Sequence, residues 1–553
     1  MRLSTLVRID KSARRLAEIL ATLAKYGFAD WLSGIDYDWL KSRVTDGEGT
    51  VLPNLTTAER IRGVLTDLGP TFIKIGQILS SRPDLVGPDV GAELARLQSQ
   101  TKPDGPEWVR AVIEEDFGQP LERLFRFFND TPMASASIGQ VHEAILPDGR
   151  EVVVKVRHEG IEEAVRRDLD LMIGLAELAE KHAAQLRRFQ PVATARYFQR
   201  TLLRELDFSH ERRHLERFAE DFADDPSVHF PQVCGELCSD RVLTMERLRG
   251  IPVSDIAAIK RTGADLNRFA RRGGELYLEM VFGNGFYHAD PHPGNLFRLD
   301  DDVIGVIDCG MVGKIDEKLR REIEGMLLAA VSSDAEGLSE AIIRVGQVPG
   351  DLDEDTLHSE VAEFLNDYVG QSVAEFDVSG ALQRLFELVR EFHIVLPSSF
   401  GMLVKTLVML EGTARQLSPD FSLAALIRPY YVKASRRRFA PGQVAADIGR
   451  GYRDWKRLIE SLPRDLADIL TRFRRGQLEV HLEHRRLEGT VDRLVLGLLT
   501  AAVFLGSAVM WSFQASPTVL GVSLFGALGF LASVWLGVGL LLSIRKARKN
   551  PPK

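Results

Sequence analysis

The sequence has little cysteine, no overall excess of positive charge and no uninterrupted apolar run at its amino terminus. Its three cysteines, Cys234, Cys238 and Cys309, are too few for a disulfide framework among 553 residues. Cys234 and Cys238 also have no second pair of ligands that would complete a zinc site. We therefore expect ordinary thiols in a reducing compartment.

The charge balance excludes a further class of function. A formal net charge of −8 gives no overall basic field, so nucleic acid is not expected as a partner. The amino-terminal residues mix charges throughout and lack the apolar core of a secretory signal, so the main body of the chain is expected to stay in the cytoplasm. Hydrophobic residues make up 45% of the chain, enough for a large core and two or three domains.

Near the carboxyl terminus the composition changes. Residues 494–513 form 20 positions without a charge, and residues 519–544 form 26. Each run is long enough to cross a hydrocarbon core of roughly 30 Å. Basic residues such as Arg485 before the first run and Arg545 after the second predict that both flanks face the cytoplasm. The pattern predicts a transmembrane helical hairpin, with a buried hairpin of a soluble domain as the alternative.

The most informative stretch is 285–310, which reads GFYHADPHPGNLFRLDDDVIGVIDCG. It places Asp290 in a polar loop, Asn295 shortly after it and, beyond a short β-like run at 303–307, a second acid, Asp308. Phosphoryl transfer needs one carboxylate to orient the attacking hydroxyl or water. It also needs an amide oxygen and another carboxylate to hold Mg²⁺ on the nucleotide phosphates. The three residues fit these roles in that order.

The same loop holds two histidines, His288 and His292. Their spacing with Asp290 on a loop is a weak signal for zinc. We therefore expect these histidines to brace the loop rather than to bind a metal.

A second segment, residues 133–157, reads as strand, loop, strand, turn and strand. In the last strand Val152, Val154 and Val156 alternate with Lys155, so the lysine is predicted on the face opposite the valines. A lysine in a valine-rich strand is usually an edge or surface residue. The loop that precedes this strand instead favours a position for Lys155 in a nucleotide-binding site.

That loop has the spacing of a kinase glycine-rich loop, with Ala134 and Ala136 in the first two glycine positions, followed by Gly139 and Val141. Glycine lets backbone N–H groups close on phosphates, whereas alanine removes much of that freedom. The loop is expected to be stiffer and to hold phosphates differently.

A phosphate-holding lysine needs a carboxylate to fix its position, and in kinases a helix packed on the sheet supplies it. The helical run 192–221 contains Glu205, Asp207 and Glu211. Glu205 is the first choice as the partner of Lys155 and Glu211 the second, with the other acids left for a metal or another partner. Any single glutamate on so charged a helix is by default solvated.

An amino-terminal segment carries a further polar stripe. On a helix beginning after Pro70, Phe72 and Ile75 fall on one face, and Lys74 and Gln77 fall on the opposite face. Spacing alone favours a solvated face. The alternative is that Lys74 and Gln77 point into a site.

The order of these motifs, from the alanine-rich loop through Lys155 and a helical glutamate to Asp290, Asn295 and Asp308, is that of a protein-kinase-like fold. With Lys74-Ile-Gly-Gln77 and Asp308-Cys-Gly310, the chain resembles the UbiB protein-kinase-like family, the atypical kinases and ATPases tied to ubiquinone biosynthesis. The resemblance covers about residues 60–420, and the two carboxy-terminal runs match the bacterial members.

The resemblance implies an α+β, bilobal protein-kinase-like fold with an N-terminal helical extension and a C-terminal transmembrane helical hairpin. The expected segments are a helical extension, a small lobe with a helical insertion, a large lobe, membrane-proximal helices and two transmembrane helices. Their predicted boundaries are 1–125, 126–250, 251–420, 421–490 and 491–545.

The resemblance also assigns roles to matching positions. It implies Asp290 as the catalytic residue, Asn295 and Asp308 as metal ligands, and Lys74 and Gln77 as regulatory residues on a helix over the active site. The implied nucleotide-binding positions are Ala134, Ser135, Ala136, Ser137, Ile138, Gly139, Gln140, Val141, Lys155 and Glu205, with Asp207 and Glu211 as secondary positions.

The implied function is a membrane-anchored, ATP- and Mg²⁺-dependent ATPase that supports ubiquinone synthesis at the bacterial inner membrane. Implied partners are membrane lipids and quinone intermediates or other ubiquinone-biosynthesis proteins. Basic clusters at 436–438 and 472–475 either meet anionic headgroups or form solvated helix faces. A small-molecule or lipid phosphotransferase and a pseudokinase scaffold of a membrane complex are the alternatives.

Overall fold

The computed structural model describes residues 3–28, 55–80, 82, 86–97, 101–182, 190–368, 377–438, 488–513, 516–519 and 522–549. The chain divides into two compact units, Met1–Gln443 and Val444–Lys553. The clusters at 436–438 and 472–475 and the flank residue Arg485 have side chains outside the described part. The predicted domain boundaries stay predictions.

The described helices of the first unit surround three small sheets. In chain order they are α1 (Leu3–Lys25), α2 (Thr57–Leu68), α3 (Pro70–Ser80), α4 (Pro88–Leu94), α5 (Pro106–Phe117), α6 (Leu121–Leu124), α7 (Ile161–His182), α8 (Pro191–Glu205), α9 (Phe208–Asp221), α10 (Ile256–Arg261), α11 (Leu266–Leu278), α12 (Glu317–Val331), α13 (Ala335–Val345), α14 (Glu354–Tyr368), α15 (Val378–Glu391), α16 (Ser398–Leu417) and α17 (Leu423–Arg438). The strands are β1 (Phe127–Phe128), β2 (Ala134–Ser135), β3 (Gly139–Ile145), β4 (Glu151–Arg157), β5 (Val228–His229), β6 (Val242–Glu246), β7 (Ile251–Pro252), β8 (Phe286–His288), β9 (Leu296–Arg298), β10 (Ile304–Val306) and β11 (Val312–Lys314).

The small-lobe sheet is antiparallel, with the order β1-β3-β4-β6 and β2 paired with β3. The predicted strand-loop-strand-turn-strand pattern is therefore confirmed. Val152, Val154 and Val156 pack with residues of α5 in one apolar cluster, whereas Val153 belongs to the main core on the other side. Because strand side chains alternate between faces, Lys155 lies on the side of Val153, as the pattern predicts.

A second sheet, in the order β5-β10-β9-β7, and the antiparallel pair β8-β11 carry the acidic loops. The loop with Asp290 connects β8 to β9, and Asp308 lies two residues after the end of β10. Because β9 pairs with β10 and β8 pairs with β11, the two loops emerge side by side. The predicted strand before Asp308 is confirmed as Ile304–Val306.

The amino-terminal helices pack onto the kinase-like body. Arg15 of α1 makes two hydrogen bonds to Asp168 of α7, at 2.9 and 3.0 Å, and a third to the carbonyl oxygen of Leu68. The helix predicted after Pro70 is confirmed as α3. Gly76 on this helix packs closely on Leu97, because a β-carbon would lie 2.3 Å from Leu97 Cδ1 and the leucine side chain would have to shift. These contacts fix the direction in which α3 presents its polar residues.

The second unit contains α18 (Glu488–Ser512), a short hairpin of β12 (Thr518–Val519) and β13 (Val522–Ser523), and α19 (Leu524–Lys549). In α18 the segment Val495–Ser512 is long and apolar enough to cross a membrane, and only 6% of it is buried. In α19 the apolar segment Leu524–Gly539 is shorter. Among the described residues one helix therefore meets the criteria for a span, and the second span stays a prediction.

Candidate active site

The loop that carries Asp290 is braced by a buried histidine. The Nε2 atom of His288 lies 3.0 Å from the carbonyl oxygen of Asp308, and its Nδ1 atom accepts a hydrogen bond from the backbone N–H of Asp290 at 3.3 Å. These partners require the tautomer protonated at Nε2, which donates to the carbonyl. His292 Nδ1 accepts from the backbone N–H of Gly294. In the described part of the chain no group of histidine, cysteine and acidic residues could hold a metal by itself. The hydrogen bonds of His288 and His292 within the loop agree with the bracing role predicted for both histidines.

Asn295 turns its amide toward Asp290. Its Nδ2 atom donates to the carbonyl oxygen and to the Oδ2 atom of Asp290, each at 3.2 Å. Its backbone carbonyl accepts from the N–H of Ile307, next to Asp308. Since the amide nitrogen faces Asp290, the amide oxygen faces away and is the atom free to meet a cation.

Asp308 has a left-handed backbone, with φ of 55°. A positive φ is uncommon outside glycine, although aspartate tolerates it better than most residues, and such conformations often occur at functional sites. Its side chain is 54% exposed, and its Oδ1 atom lies 3.7 Å from Lys155 Nζ. The charge of Lys155 lowers the pKa of Asp308. The carboxylate is therefore ionised and accessible.

Lys155 pairs with Glu211, not with Glu205. The Nζ atom of Lys155 lies 2.8 Å from Glu211 Oε2, and the two side chains are 16% and 5% exposed. Burial lowers the pKa of Lys155, but the charges of Glu211 and Asp308 outweigh it, so that the net shift is upward. Lys155 Nζ also lies 5.1 Å from the centre of the Phe208 ring. The first choice, Glu205, was wrong, and the second choice is the observed partner.

A helix break explains the correction. The predicted single run 192–221 is two helices, because α8 ends at Glu205 and α9 begins at Phe208. Asp207 lies at the break and caps α9 by accepting a hydrogen bond from the backbone N–H of Ser209 at 2.9 Å. The two glutamates therefore lie on different helices and face different lysines. Asp207 has this capping role in the structure, and its predicted secondary role at the site stays a prediction.

Glu205 instead pairs with Lys74 of α3. Lys74 Nζ lies 2.9 Å from Glu205 Oε2. Burial lowers the pKa of Lys74, but the attraction of Glu205 outweighs it and the pKa is raised. The structure thus brings Lys74 to the site, away from the solvated face that spacing alone favoured. Gln77 differs, because its Nε2 atom donates to the carbonyl oxygen of Leu97 at 3.1 Å.

The alanine-rich loop is held by a histidine that the sequence analysis missed. His158 Nε2 lies 2.9 Å from the carbonyl oxygen of Ala136, and its Nδ1 atom lies 2.6 Å from Asp104 Oδ2. Gln140 is fully buried, and its Oε1 atom accepts from the backbone N–H of Asp104. A β-carbon on Gly139 would lie 2.5 Å from the carbonyl oxygen of Val156.

Most of the remaining predicted positions lie in the same hairpin. Ala134 pairs with Val141 and Ser135 with Gln140, and Val141 lies opposite Lys155 on β4. Ser137 and Ile138 are buried at the turn. The loop is therefore tied down at both strands and at its tip, which agrees with the stiffness predicted for it.

Helix α9 links the two sides of the site. Besides Glu211 it carries His214, whose Nδ1 atom lies 2.9 Å from the carbonyl oxygen of Cys309.

Cys309 is buried, and burial raises the pKa of its thiol. Burial also raises the pKa of Cys238, to about 11. All three cysteines are free, as predicted.

Three family models match the chain. They are the ABC1 atypical kinase-like domain at residues 96–342, the UbiB helical domain at 361–422 and the ABC1/UbiB kinase-like C-terminal domain at 480–546. The first contains Lys155, Asp290 and Asp308. The first and second together include most of the residues that surround the acidic loops.

Individual relatives match over nearly the whole chain. A "Probable protein kinase UbiB" of Pseudomonas putida is 32% identical over 97% of this chain and 99% of its own length. A protein of the same name from Aeromonas salmonicida is 33% identical over 90% of this chain and 94% of its own length. A solved structure of the Rv3197–erythromycin complex from Mycobacterium tuberculosis is 25% identical, with a TM-score of 0.44, and covers 69% of this chain and 94% of its own.

Proposed function

The chain belongs to the UbiB family of atypical kinase-like proteins, and from this premise we propose that it is a membrane-anchored ATPase that uses Mg-ATP and supports ubiquinone biosynthesis. The observation that carries the proposal is the position of Lys155, 2.8 Å from Glu211 and 3.7 Å from Asp308. A lysine fixed between two carboxylates, one buried and one exposed, is the arrangement that kinase-like proteins use to hold nucleotide phosphates.

Each residue has a task that its contacts support. Glu211 fixes the direction of Lys155, whose ammonium binds the phosphates. Asp290 accepts a hydrogen bond from Asn295, which orients its carboxylate toward the attacking hydroxyl or water. The tethered alanine-rich loop covers the nucleotide. Electrostatic positioning of this kind supplies most of the catalysis in phosphoryl transfer.

The donor set suits Mg²⁺. The amide oxygen of Asn295 and the exposed carboxylate of Asp308 are hard oxygen donors, and Mg²⁺ is usually bound by one or two carboxylates together with substrate phosphates and water. When bound, Mg²⁺ would neutralise negative charge on the phosphates. Phosphate oxygens and water would complete the coordination, as is usual for Mg²⁺ in proteins.

Replacement of Asp308 tests the proposal. Asp308→Asn in the purified full-length chain should lower release of phosphate from ATP by roughly 100-fold or more, the size of loss seen when one preorganised electrostatic group is removed. The Mg²⁺ dependence of ATP binding, followed by calorimetry, should weaken in parallel. Unchanged turnover, or no nucleotide binding by the parent chain, would sink the proposal.

Two measurements separate the alternatives. Labelled phosphate transferred to a defined metabolite or lipid would identify a phosphotransferase, whereas release of free phosphate alone would not. Normal quinone levels in cells that carry Asp290→Ala with Asp308→Ala would identify a scaffold. Quinone and intermediate profiles of cells with Asp308→Asn test the pathway and the need for catalysis together, and accumulated intermediates are expected.

Membrane anchoring by α18 and α19 is supported by large apolar side chains that face outward on both helices. Leu505 is 63% exposed and Trp535 is 77% exposed. A fluorescent reporter that matures only in the cytoplasm should be bright when fused after Lys553 and dark when inserted after Pro517. Equal signals at the two positions would refute the hairpin.

A further inference from the structure

Helix α16 runs behind the loop that carries Asp290 and is joined to this region at three points. The Tyr287 hydroxyl donates to the carbonyl oxygen of Ser399 at 3.3 Å. Thr406 Oγ1 donates to the carbonyl oxygen of Ala289 at 3.2 Å, and Thr413 Oγ1 donates to that of Pro291 at 3.0 Å. The three α16 positions are seven residues apart and therefore share one face of the helix. This face is fixed against the acidic loop.

Lys405 precedes Thr406 on this helix, and Thr406 contacts Ala289, the residue before Asp290. The charges that act on its ammonium come from Asp290, Lys74 and Glu205. These residues belong to three different elements, namely the acidic loop, α3 and α8. Since Thr406 and Thr413 hold α16 against the acidic loop, Lys405 lies beside this loop, within the field of these charges.

Unlike the other two lysines of the cleft, Lys405 has no carboxylate partner among the residues that the structure describes. Lys155 and Lys74 each have a glutamate within 3.0 Å, at 2.8 and 2.9 Å. No side-chain hydrogen bond contributes at Lys405, where burial lowers the pKa and the attraction of the more distant Asp290 does not restore it. A partly buried ammonium without a counter-ion at hydrogen-bonding distance is costly. A bound anion would supply the missing charge.

We propose that Lys405 binds the terminal phosphoryl group of a nucleoside triphosphate, an assignment that rests on the proposed function. Lys155 and Asp308 lie together on one side of the site, and Asp290 marks where the nucleophile is held. The terminal phosphoryl group is the anion that lies between the inner phosphates and the nucleophile. A lysine is well suited to it, because the ammonium acts as a compact point charge.

The role of Lys405 follows from the transfer step. The oxygen of the attacking water bonds to the terminal phosphorus while the bond from that phosphorus to the bridging oxygen breaks. The electron pair of the broken bond leaves with the nucleoside diphosphate, and the carboxylate of Asp290 accepts the proton of the water. Lys405 stabilises the negative charge that the transferred oxygens carry throughout.

The test compares a triphosphate with a diphosphate. Calorimetry on the purified full-length chain with Mg²⁺ should show that Lys405→Met lowers the affinity for a non-hydrolysable ATP analogue by roughly 10- to 100-fold, the range of a charged hydrogen bond. The affinity for ADP should change by no more than about twofold. Lys405→Arg should retain most of the triphosphate affinity. Lys318→Met, at an exposed lysine of α12, is the matched control and should change neither affinity.

Thermal unfolding separates binding from a structural role. Without nucleotide, Lys405→Met should melt at the parent temperature or above it, because a partly buried charge without a carboxylate partner is removed. If Lys405→Met and the parent bind the analogue equally well, the assignment of Lys405 fails while the proposed function stands. The same holds if Lys405→Met loses ADP and analogue binding in parallel and melts at a lower temperature. A parent chain that binds neither nucleotide would overturn the proposed function as well.

Discussion

The cleft holds two lysine–glutamate pairs of nearly equal length in different settings. Lys155 and Glu211 are 2.8 Å apart and join the small-lobe sheet to α9. Lys74 and Glu205 are 2.9 Å apart and join the amino-terminal helix α3 to α8. Glu211 is 5% exposed and Glu205 10%. The first pair lies within the kinase-like body, whereas the second attaches the extension to it.

The difference concerns what each pair holds in place. Lys155 also faces Asp308, so this pair aligns two groups that would meet the nucleotide. The charges of Asp308 and Lys155 also act on Lys74, but the hydrogen-bonding partner of Lys74 is Glu205. We infer that the first pair serves catalysis directly and that the second fixes the position of the covering helix. The predictions below test this division, starting with the largest effect.

Lys155→Met should have the largest effect. It leaves the buried Glu211 without a counter-charge, which typically costs about 3–5 kcal/mol of stability, and turnover should fall by roughly 100-fold or more. Chemical denaturation and phosphate release measure the two losses. The double variant Lys155→Met, Glu211→Gln should regain most of the stability but none of the turnover. Recovery of both would show that the pair is only structural.

The second effect is the pH dependence of the stability that Lys155→Met loses. Burial raises the pKa of Glu211 above 4.5, and Lys155 opposes this shift. A carboxyl group with a raised folded-state pKa contributes stability below its unfolded pKa and loses it as the pH rises through the folded pKa. Without Lys155 the raised pKa rises further, so the destabilisation of Lys155→Met should shrink as the pH falls from 8 toward 5.

The size of this effect is about 1.4 kcal/mol for each unit by which the folded-state pKa moves. Thermal unfolding of the parent and of Lys155→Met across this pH range measures it. The double variant with Glu211→Gln provides the control, because it has no titrating group at that position and its difference from the parent should lack this pH dependence. A constant difference in the single variant would mean that Glu211 does not titrate there.

Lys74→Met should have a smaller effect on stability, about 1–3 kcal/mol, the range of a charge-assisted hydrogen bond. Hydrogen exchange should increase in α3 and α8 and stay unchanged in β4 and α9. ATP affinity should change, or autophosphorylation should appear, because the covering helix is released. Glu205→Gln should reproduce these results. Unchanged affinity and phosphorylation in both variants would return Lys74 to a purely structural role.

Much of this site could be predicted from local patterns. Alternation along β4 placed Lys155 on the correct face, and the order of Asp290, Asn295 and Asp308 placed three polar groups on two adjacent loops. These predictions need only the periodicity of a strand and the ends of neighbouring strands. The helix after Pro70 and the turn before β4 are equally local.

Contacts between distant segments could not be predicted in this way. Period and spacing do not show which of several acids on a charged helix meets a given lysine. The prediction of Glu205 was wrong because the single predicted helix is two helices, which end at Glu205 and begin at Phe208. His158 meets Asp104 across 54 positions, and Thr406 meets Ala289 across 117. Such pairs depend on how the elements pack, so no local pattern indicated them.

The smallest predicted effect concerns the residue that separates the two pairs. Asp207 lies between Glu205 and Glu211 and caps α9 with a 2.9 Å hydrogen bond to the N–H of Ser209. Asp207→Ala should cost about 1 kcal/mol, the usual cost of losing a cap, whereas Asp207→Ser keeps a capping oxygen and should cost little. Chemical denaturation measures both.

If the cap directs the two glutamates, Asp207→Ala should also weaken the coupling between Lys155 and Glu211 in a double-mutant cycle. A stability loss with unchanged coupling would show that packing of α8 and α9, rather than the cap, keeps the two glutamates apart.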